Sequence, residues 1–407
     1  MVIAGTPIDG NEAPFSFAEL FFSRTDTRGV IAAGNDVFQR VSQYSWAELL
    51  NKPHNVIRHP DMPRGVFHLM WKTIKAKQPI GAYVKNRAKD GRHYWVFAVV
   101  TPVDDGYLSV RLKPSSPLFH AAVDAYQQLR GAERTESLTP EASEHRLLSM
   151  LERLGFPDYG TFMSVAIREE VAARERVLSP QVRPFLGILE RITAGAKKLS
   201  SETATVVDTY QTWAHVPINL RVKSAKLGSR GRSIGVISEN FDTVSSSIRV
   251  EIDQFRESVI DVFDLLHHGQ FLLCTAKLQA EVAQFFRNET AGATTANTNE
   301  LALLEHQMSD YQRRANESLE QIEARIRHFQ NDFLRLKKST TGLEVIRVMG
   351  KIDAARLPGD IGLRELLNDL GTFQTALTTS LVAIDDHNSA LRVDTDSVIA
   401  ALAQPGG

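Results

Sequence analysis

The side chains best suited to chemistry lie between Asn51 and Val103, and the chemistry they suit is the holding of a flat heteroaromatic ring. A pocket of that kind needs an apolar, aromatic wall and a few fixed polar groups for the ring edge. Phe67, Trp71, Tyr83 and Trp95 can supply the wall. His54 and Asn86, with Asn35 upstream, can bond ring edges, and Arg58 and His59 can meet phosphate or sugar-alcohol oxygens. Each also has a plainer reading: a strand aromatic such as Trp95 usually serves the core, and lone loop histidines and arginines usually bond backbone carbonyls or water. The run Arg58-His59-Pro60-Asp61 is harder to assign to a mere connector, because it sets a charged quartet among prolines.

Positioning these residues falls to a stiff loop and a pair of strands. Pro53, Pro60 and Pro63 each fix φ and remove a donor, so residues 53–63 form a shaped, irregular loop, and a helix-like run follows through Trp71. Residues 92–103 are rich in β-branched and aromatic types, and Lys89-Asp90-Gly91 before them supplies a hairpin turn. Together they predict neighbouring strands over 80–88 and 92–103.

Pro53-His54-Asn55, the run Arg58-His59-Pro60-Asp61-Met62-Pro63, Met70-Trp71, Val84-Lys85-Asn86-Arg87 and Gly91-Arg92-His93-Tyr94-Trp95-Val96 together resemble the PAS sensor domain of bacterial aerotaxis receptors, of the flavin-binding kind. A weaker match through Gly34-Asn35-Asp36-Val37-Phe38 and Val41 to Ser45 extends the resemblance over residues 17–113. It implies an α+β domain at residues 15–115, a five-stranded antiparallel sheet with short helices across one face. The implied cofactor is FAD, whose redox state tracks oxygen or electron transport. The resemblance assigns Asn35, His54, Asn55, Arg58, His59, Asp61, Trp71, Asn86 and Trp95 to that cofactor. Ile80, after Pro79, departs from the family, whose flavin-binding receptors tend to carry a tryptophan there. The residues alone leave two other contents open: haem, which needs an axial histidine such as His54, His59, His68 or His93, and nothing at all.

A chain of 407 residues has room for two or three domains, and 43% hydrophobic residues suffice for their cores. A net charge of −1 favours neither nucleic acid nor an anionic membrane as partner. The single cysteine, Cys274, excludes a disulfide framework within the chain and sits on an apolar helical stretch, as a buried structural thiol would. Neither a run of about twenty apolar residues nor a basic N-terminus leading into an apolar core is present. The expectation is a cytoplasmic protein without membrane insertion.

From Pro117 onward helical spacing replaces strand patterns: Leu147, Leu148, Leu151 and Leu154 in one segment, Ile188, Leu189, Ile192 and Leu199 in another. This predicts an all-α region of long helices, with a helical linker at 116–178 and a helical signalling bundle at 179–403. Residues 155–160 break it once, and Ser179-Pro180 offers a cap with proline at the first helical position. Ala291 to Asn299 is small and polar and reads as a loop. Asn299 to Thr340 runs without proline or glycine and carries Leu304, Tyr311, Ile322, Ile326, Phe329 and Phe333 near heptad spacing, as a long bundle or coiled-coil helix does.

Inside this region Asn219 to Gly228, then Gly231 to Glu239, look like the hairpin tip of methyl-accepting chemotaxis proteins. Gly228 and Gly231 allow a sharp reversal, Ala225 permits close helix approach, and Arg232 can cap carbonyls at the turn. The resemblance implies a signalling tip formed by these four with Asn219 and Lys223, a homodimer, and contact with a chemotaxis histidine kinase and its coupling protein. Lys223 stands where the tip usually has glutamate, and Pro217 falls in the approach helix, so the output surface is diverged. Val345 to Leu357, before Pro358-Gly359, partly repeats the pattern of 219–227, which suggests a second helix reversal. Phosphate-loop, His-Glu-x-x-His and paired-cysteine signatures are absent, and the adjacent His267 and His268 point about 100° apart on a helix. The resulting expectation is a non-enzymatic sensor of redox state or oxygen, used in energy taxis, that passes the state of a bound flavin to a helical chemotaxis-type domain. The alternative is a cofactor-free PAS scaffold or adaptor.

Overall fold

Alternation of side chains along five strands sets the first layer. The computed structural model describes residues 11–178, 184–213, 215–226, 232–289, 295–356 and 361–402. Strands β1 (Phe21–Asp26), β2 (Ile31–Gly34), β3 (Ile80–Arg87), β4 (His93–Val103) and β5 (Gly106–Leu112) form an antiparallel sheet in the order β2-β1-β5-β4-β3. The two strands expected from composition are β3 and β4. Gly91 in the turn between them has φ of +93°, a conformation open to a residue without Cβ. Registers Ser23↔Ser109, Val100↔Ser109, Ala98↔Arg111 and Asn86↔Tyr94 place these residues on one face, while Phe22, Tyr83, Trp95, Phe97 and Val110 turn to the other.

Short helices cross the first face: α1 (Asp36–Ser42), α2 (Trp46–Leu49), a 3₁₀ turn (His54–Ile57) and α3 (Arg64–Lys75). The second face is covered by α4 (Pro117–Thr135), α6 (Tyr159–Leu178) and part of the long α9 (Arg232–Glu289), whose Phe286 meets Phe22 edge-on at 5.0 Å. Helix α5 (Pro140–Arg153) packs on α3 instead. Ser116 and Thr139 cap α4 and α5, each followed by proline at the first helical position. Gly65 lets α3 and α5 meet, since a Cβ there would stand 2.5 Å from the backbone of Ser143 and Glu144.

Two buried carboxylates fasten the helices to this domain. Glu133 of α4 accepts from the backbone N–H of Arg64 (2.5 Å) and Gly65 (3.4 Å), from Ser143 Oγ (2.6 Å) and from Arg130 (2.9 Å), so it caps a helix that lies about seventy positions earlier in the chain. Glu170 of α6 does the same for α4: it accepts from Ser115 N–H (2.7 Å), Ser116 N–H (3.1 Å), Ser116 Oγ (2.5 Å) and Tyr83 Oη (2.8 Å). Burial raises the Glu170 pKa, and these four donors pull it back towards the ionised form.

The chain divides into two compact units that do not follow chain order: residues 1–186 with 267–317, and residues 187–266 with 318–407. The second unit contains α7 (Pro184–Trp213), α8 (Val216–Lys226), the first half of α9, most of α10 (Thr295–Ala355) and α11 (Ile361–Leu402). Within it Phe255 packs on Phe329 at 4.5 Å and Trp213 meets Phe373 at 6.3 Å, while Ser258 Oγ donates to buried Asp332 at 2.9 Å. Helix α10 contains the expected 299–340 run and extends beyond it at both ends. Thr295 to Asn299, assigned to a loop from their small polar character, are its opening turns, where Thr and Asn are well tolerated; residues 291–294 lie outside the described residues. Of the expected tip, Asn219, Lys223 and Ala225 lie on α8 and Arg232 begins α9, whereas Gly228 and Gly231 lie outside the described residues. So do Ser179, Pro180, Pro358 and Gly359. Cys274 is buried on α9, where desolvation pushes its thiol up to about 12. No described helix is long and apolar enough to cross a membrane.

Replacing Glu133 with alanine strips the α3 N-terminus of its cap and leaves Arg130 without its carboxylate partner. The expected cost is about 2–4 kcal/mol, read as a lowered midpoint in urea denaturation.

Candidate functional site

The first face of the sheet does not close against its helices. Between them lies a cavity of about 250 Å³. Its floor is Val84 and Asn86 of β3, Ala98 and Val100 of β4 and Tyr107, Ser109 and Arg111 of β5. Its roof is Met70, Trp71 and Ile74 of α3, and its rim carries His54, Asn55, Arg58 and Phe67. Much of this wall is apolar, and at one end Ser23 and His54 gather around Arg111.

Arg111 is the electrostatic centre of that end. The residue is 5% exposed, and no carboxylate lies within ion-pair distance of it among the described residues. Its Nη2 donates to Ser23 Oγ at 2.8 Å and to His54 Nε2 at 2.9 Å, while its Nη1 is buried without a partner. Desolvation lowers the guanidinium to about 10, so it stays charged at neutral pH. His54 must accept from this donor, which places its proton on Nδ1. Burial, with Arg111 adding to it, pushes the His54 pKa down to about 3, so the ring is neutral. The Ser109 hydroxyl is a second buried polar atom without a partner in the same wall. The cavity wall thus holds a fixed cation and buried hydrogen-bonding groups without partners among its apolar residues.

Of the residues expected to hold the cofactor, His54, Asn55, Arg58, Trp71 and Asn86 meet here, with Phe67 beside them. The Arg58 guanidinium lies over the Phe67 ring at 4.0 Å, and burial lowers its pKa below the usual arginine value. The Trp71 ring lies against Gly29, where a Cβ would stand 2.7 Å from it, and edge-on to Tyr107 at 5.7 Å. Asn35, His59, Asp61 and Trp95 lie outside the cavity lining. The Asn35 amide accepts from Phe22 N–H (3.0 Å) and Phe38 N–H (3.2 Å) and donates to Leu20 (2.8 Å), tying β1 to the start of α1. His59 accepts from Asp61 N–H at 3.1 Å, and burial lowers its pKa to about 4. Asp61 pairs with Arg134 and Lys85. Trp95 lies opposite Lys85 on the far face of the sheet and packs on Phe119 and Tyr126 of α4, and Tyr83 shares that face. Ser23, Ser109 and Arg111 were missed by the sequence reading. The alternation Tyr107-Leu-Ser-Val-Arg111-Leu112 in β5 was the signal that could have found the last two.

The neutral, buried His54 makes stability depend on pH. A histidine whose folded pKa lies below its unfolded value of 6.5 takes up protons on unfolding, so stability is full above about pH 6.5 and falls as pH drops towards 3. Between pH 7 and pH 5 the His54 contribution is about 1–2 kcal/mol. Denaturant titrations at the two pH values should show this difference shrinking in His54→Gln, which keeps an acceptor for Arg111.

Residues 31–110 match the family model described as PAS fold. The aerotaxis receptor of Escherichia coli K12 is 36% identical over 130 residues, which is 31% of this chain and 26% of the receptor. The nitrogen fixation regulatory protein of Klebsiella pneumoniae is 36% identical over 86 residues, 21% of this chain and 17% of that protein. The chain therefore spans about a quarter or less of the length of these relatives. Among solved structures, the LOV domain of the blue-light photoreceptor Aureochrome1 aligns over 25% of this chain and 88% of its own, at 22% identity and a TM-score of 0.23. A light-oxygen-voltage domain studied with a flavin analogue aligns over 27% and 89%, at 19% identity and a TM-score of 0.25. The N-terminal part of the chain is a PAS domain, related in sequence to the aerotaxis receptor and followed by a mostly helical region.

Proposed function

We propose that the PAS domain is a redox or oxygen sensor that holds the ring of a flavin in the cavity, and that the helices report the state of that ring. The observation carrying this reading is the buried Arg111, whose Nη1 has no partner, in the lining of a cavity it shares with Asn86, Ser109, Val84, Ala98 and Val100. A volume of about 250 Å³ falls below the usual range for a whole drug-sized ligand and suits a flat ring whose substituents leave through the rim. The 36% identity to the aerotaxis receptor supports the same assignment. Haem fits the residues less well: His54 is the histidine of the cavity lining, and its Nε2 is committed to Arg111.

A bound flavin would supply reversible electron uptake, with a change in charge and hydrogen bonding at its ring edge. Arg111 favours whichever state places negative charge at that edge, because its cation sits in a medium of low dielectric. Asn86 and Ser109 orient the ring, and Trp71 with Phe67 limits the entry of water. The Arg130–Pro60 hydrogen bond at 3.2 Å gives α4 a grip on the loop at the rim, and the Arg58–Met62 hydrogen bond at 3.4 Å braces that loop from within. A shift in that loop changes the cap that Glu133 provides to α3, and α4 passes the change onward, as a population shift needs differential contacts in two states. In this reading the long helices are the output element, working as a homodimer towards a chemotaxis histidine kinase and its coupling protein through the surface around Asn219, Lys223, Ala225 and Arg232, and the protein acts in the cytoplasm without catalysing a reaction.

The test is the visible absorption spectrum of the purified full-length protein before and after dithionite. Bands near ~450 nm that bleach on reduction are expected, and a variant carrying both Arg58→Ala and Asn86→Ala should lose them. A colourless protein that stays colourless after incubation with FAD would overturn the reading in favour of a cofactor-free scaffold.

A further inference from the structure

The helical unit carries a groove that neither the PAS match nor the motifs of the tip assign. Four helices close on one another within the single chain. Tyr210 of α7 donates to Ser245 of α9 (2.9 Å), Phe255 of α9 packs on Phe329 of α10, Gln374 of α11 donates to the Thr340 carbonyl of α10 (3.4 Å), and Asp394 of α11 pairs with Arg191 of α7 (2.8 Å). A second copy is not needed to complete this bundle and would add to its outside. There a groove of about 1140 Å³ runs between α10 and α11.

The α11 wall of the groove is built unlike a solvated helix face. Leu370 to Ile384 are fifteen residues without a charge, a length of about 22 Å along the helix. Leu370, Phe373, Leu377, Leu381 and Ile384 form the buried stripe of this run, whereas Thr372, Thr375, Ala376, Thr379 and Val382 are exposed. An exposed helix face is ordinarily rich in charge, and an uncharged centre with charged margins is the composition of an interface core. Thr375 and Thr379 return their hydroxyl protons to their own helix at 2.9 Å, which leaves the face small and of low polarity. Two polar atoms in the groove lining are unanswered. Gln374 is 7% exposed and its Oε1 is buried without a partner, as is Nε of Arg347.

The charges at the two ends differ in sign. At one end the Arg347 guanidinium lies across Gly371, where a Cβ would stand 3.3 Å from Nη1, and exposed Asp385 and Asp386 close the other. Lys337 and Glu344, of opposite sign, lie between them on α10.

We propose that this groove is the face on which a second copy of the chain docks, α11 against α11, antiparallel about the middle of the uncharged run. An isologous contact requires a patch complementary to itself, and opposite charges at opposite ends of an uncharged centre meet that requirement. A two-fold axis near Leu377 lays Asp385 and Asp386 of each copy at the Arg347 end of the other. Gly371, Thr375 and Thr379, spaced four apart on one face, let the two helices approach closely over Gln374 and Arg347. The inference rests on the homodimer of the proposed function and adds where the copies meet. It does not depend on what fills the PAS cavity.

Sedimentation velocity of the full-length protein over a micromolar concentration series tests this, and the native chain is expected to dimerise. Thr375→Lys combined with Thr379→Lys should weaken the dimer at least tenfold with the far-ultraviolet circular dichroism unchanged. Arg347→Asp should weaken it too, as should Asp385→Arg combined with Asp386→Arg, because each sets like charges together at both ends. Mixed in equal amounts, those two charge variants should form a heterodimer at least tenfold tighter than either homodimer, since both ends then become complementary. A native dimer indifferent to the threonine substitutions, or charge variants that show no preference for each other, would overturn the groove assignment and leave the homodimer to another face. A native chain that stays monomeric throughout would overturn the groove assignment and the homodimer together.

Discussion

A charged guanidinium enclosed without a carboxylate is the constraint around which the PAS domain is arranged. Moving such a group out of water costs several kcal/mol unless other partners replace the lost hydration. Arg111 recovers part of that through Ser23 and His54; burial, with Arg111 adding to it, keeps His54 neutral, and accepting from Arg111 puts its proton on Nδ1. The buried Nη1 of Arg111 has no protein acceptor, so the sheet carries an unspent interaction in the wall of a cavity. Asn35 holds β1 against α1, Gly29 makes room for Trp71, and Gly65 lets α3 settle on α5.

The opposite face depends on a different device. Glu133 and Glu170 each reach from a later helix to the N-terminus of an earlier one, satisfying backbone donors that the helix itself cannot. The two act in series: Glu170 on α6 fixes the start of α4, and Glu133 near the end of α4 fixes the start of α3, which roofs the cavity. A carboxylate cap is directional and depends on distances of a few tenths of an ångström. It is therefore well suited to convert a small displacement at the rim into a change in how the helices sit on the sheet.

Much of this was legible in the sequence, and the limits are physical. The β3–β4 hairpin, the mostly helical nature of the described residues after Pro117 and the cavity residues His54, Asn55, Arg58, Trp71 and Asn86 could be read from turn chemistry, periodicity and motif. The aromatic wall could have been read better. Tyr83 and Asn86 are three positions apart on one strand, so they cannot share a face, and the register that sets Trp95 opposite Lys85 removes it as well. Arg111 escaped because an arginine in a strand looks like a solvent-facing residue until its neighbours on the same face are known. The caps from Glu133 and Glu170, and the return of residues 267–317 to the sheet, are long-range pairings that no local pattern encodes. Asn35 was expected at the ring edge, His59 at phosphate or sugar-alcohol oxygens and Asp61 at the cofactor; in the structure their side chains lie outside the cavity lining and bond to the segments around it.

The most direct measurement is a calorimetric titration of the full-length apo-protein with riboflavin, which has the ring and no phosphate, beside the same titration of Arg111→Met. If the unpaired guanidinium defines the site, the native protein binds riboflavin, and the variant binds it at least tenfold more weakly while its far-ultraviolet circular dichroism stays unchanged. Equal affinity in a folded variant would contradict the account and place any ring elsewhere on the domain.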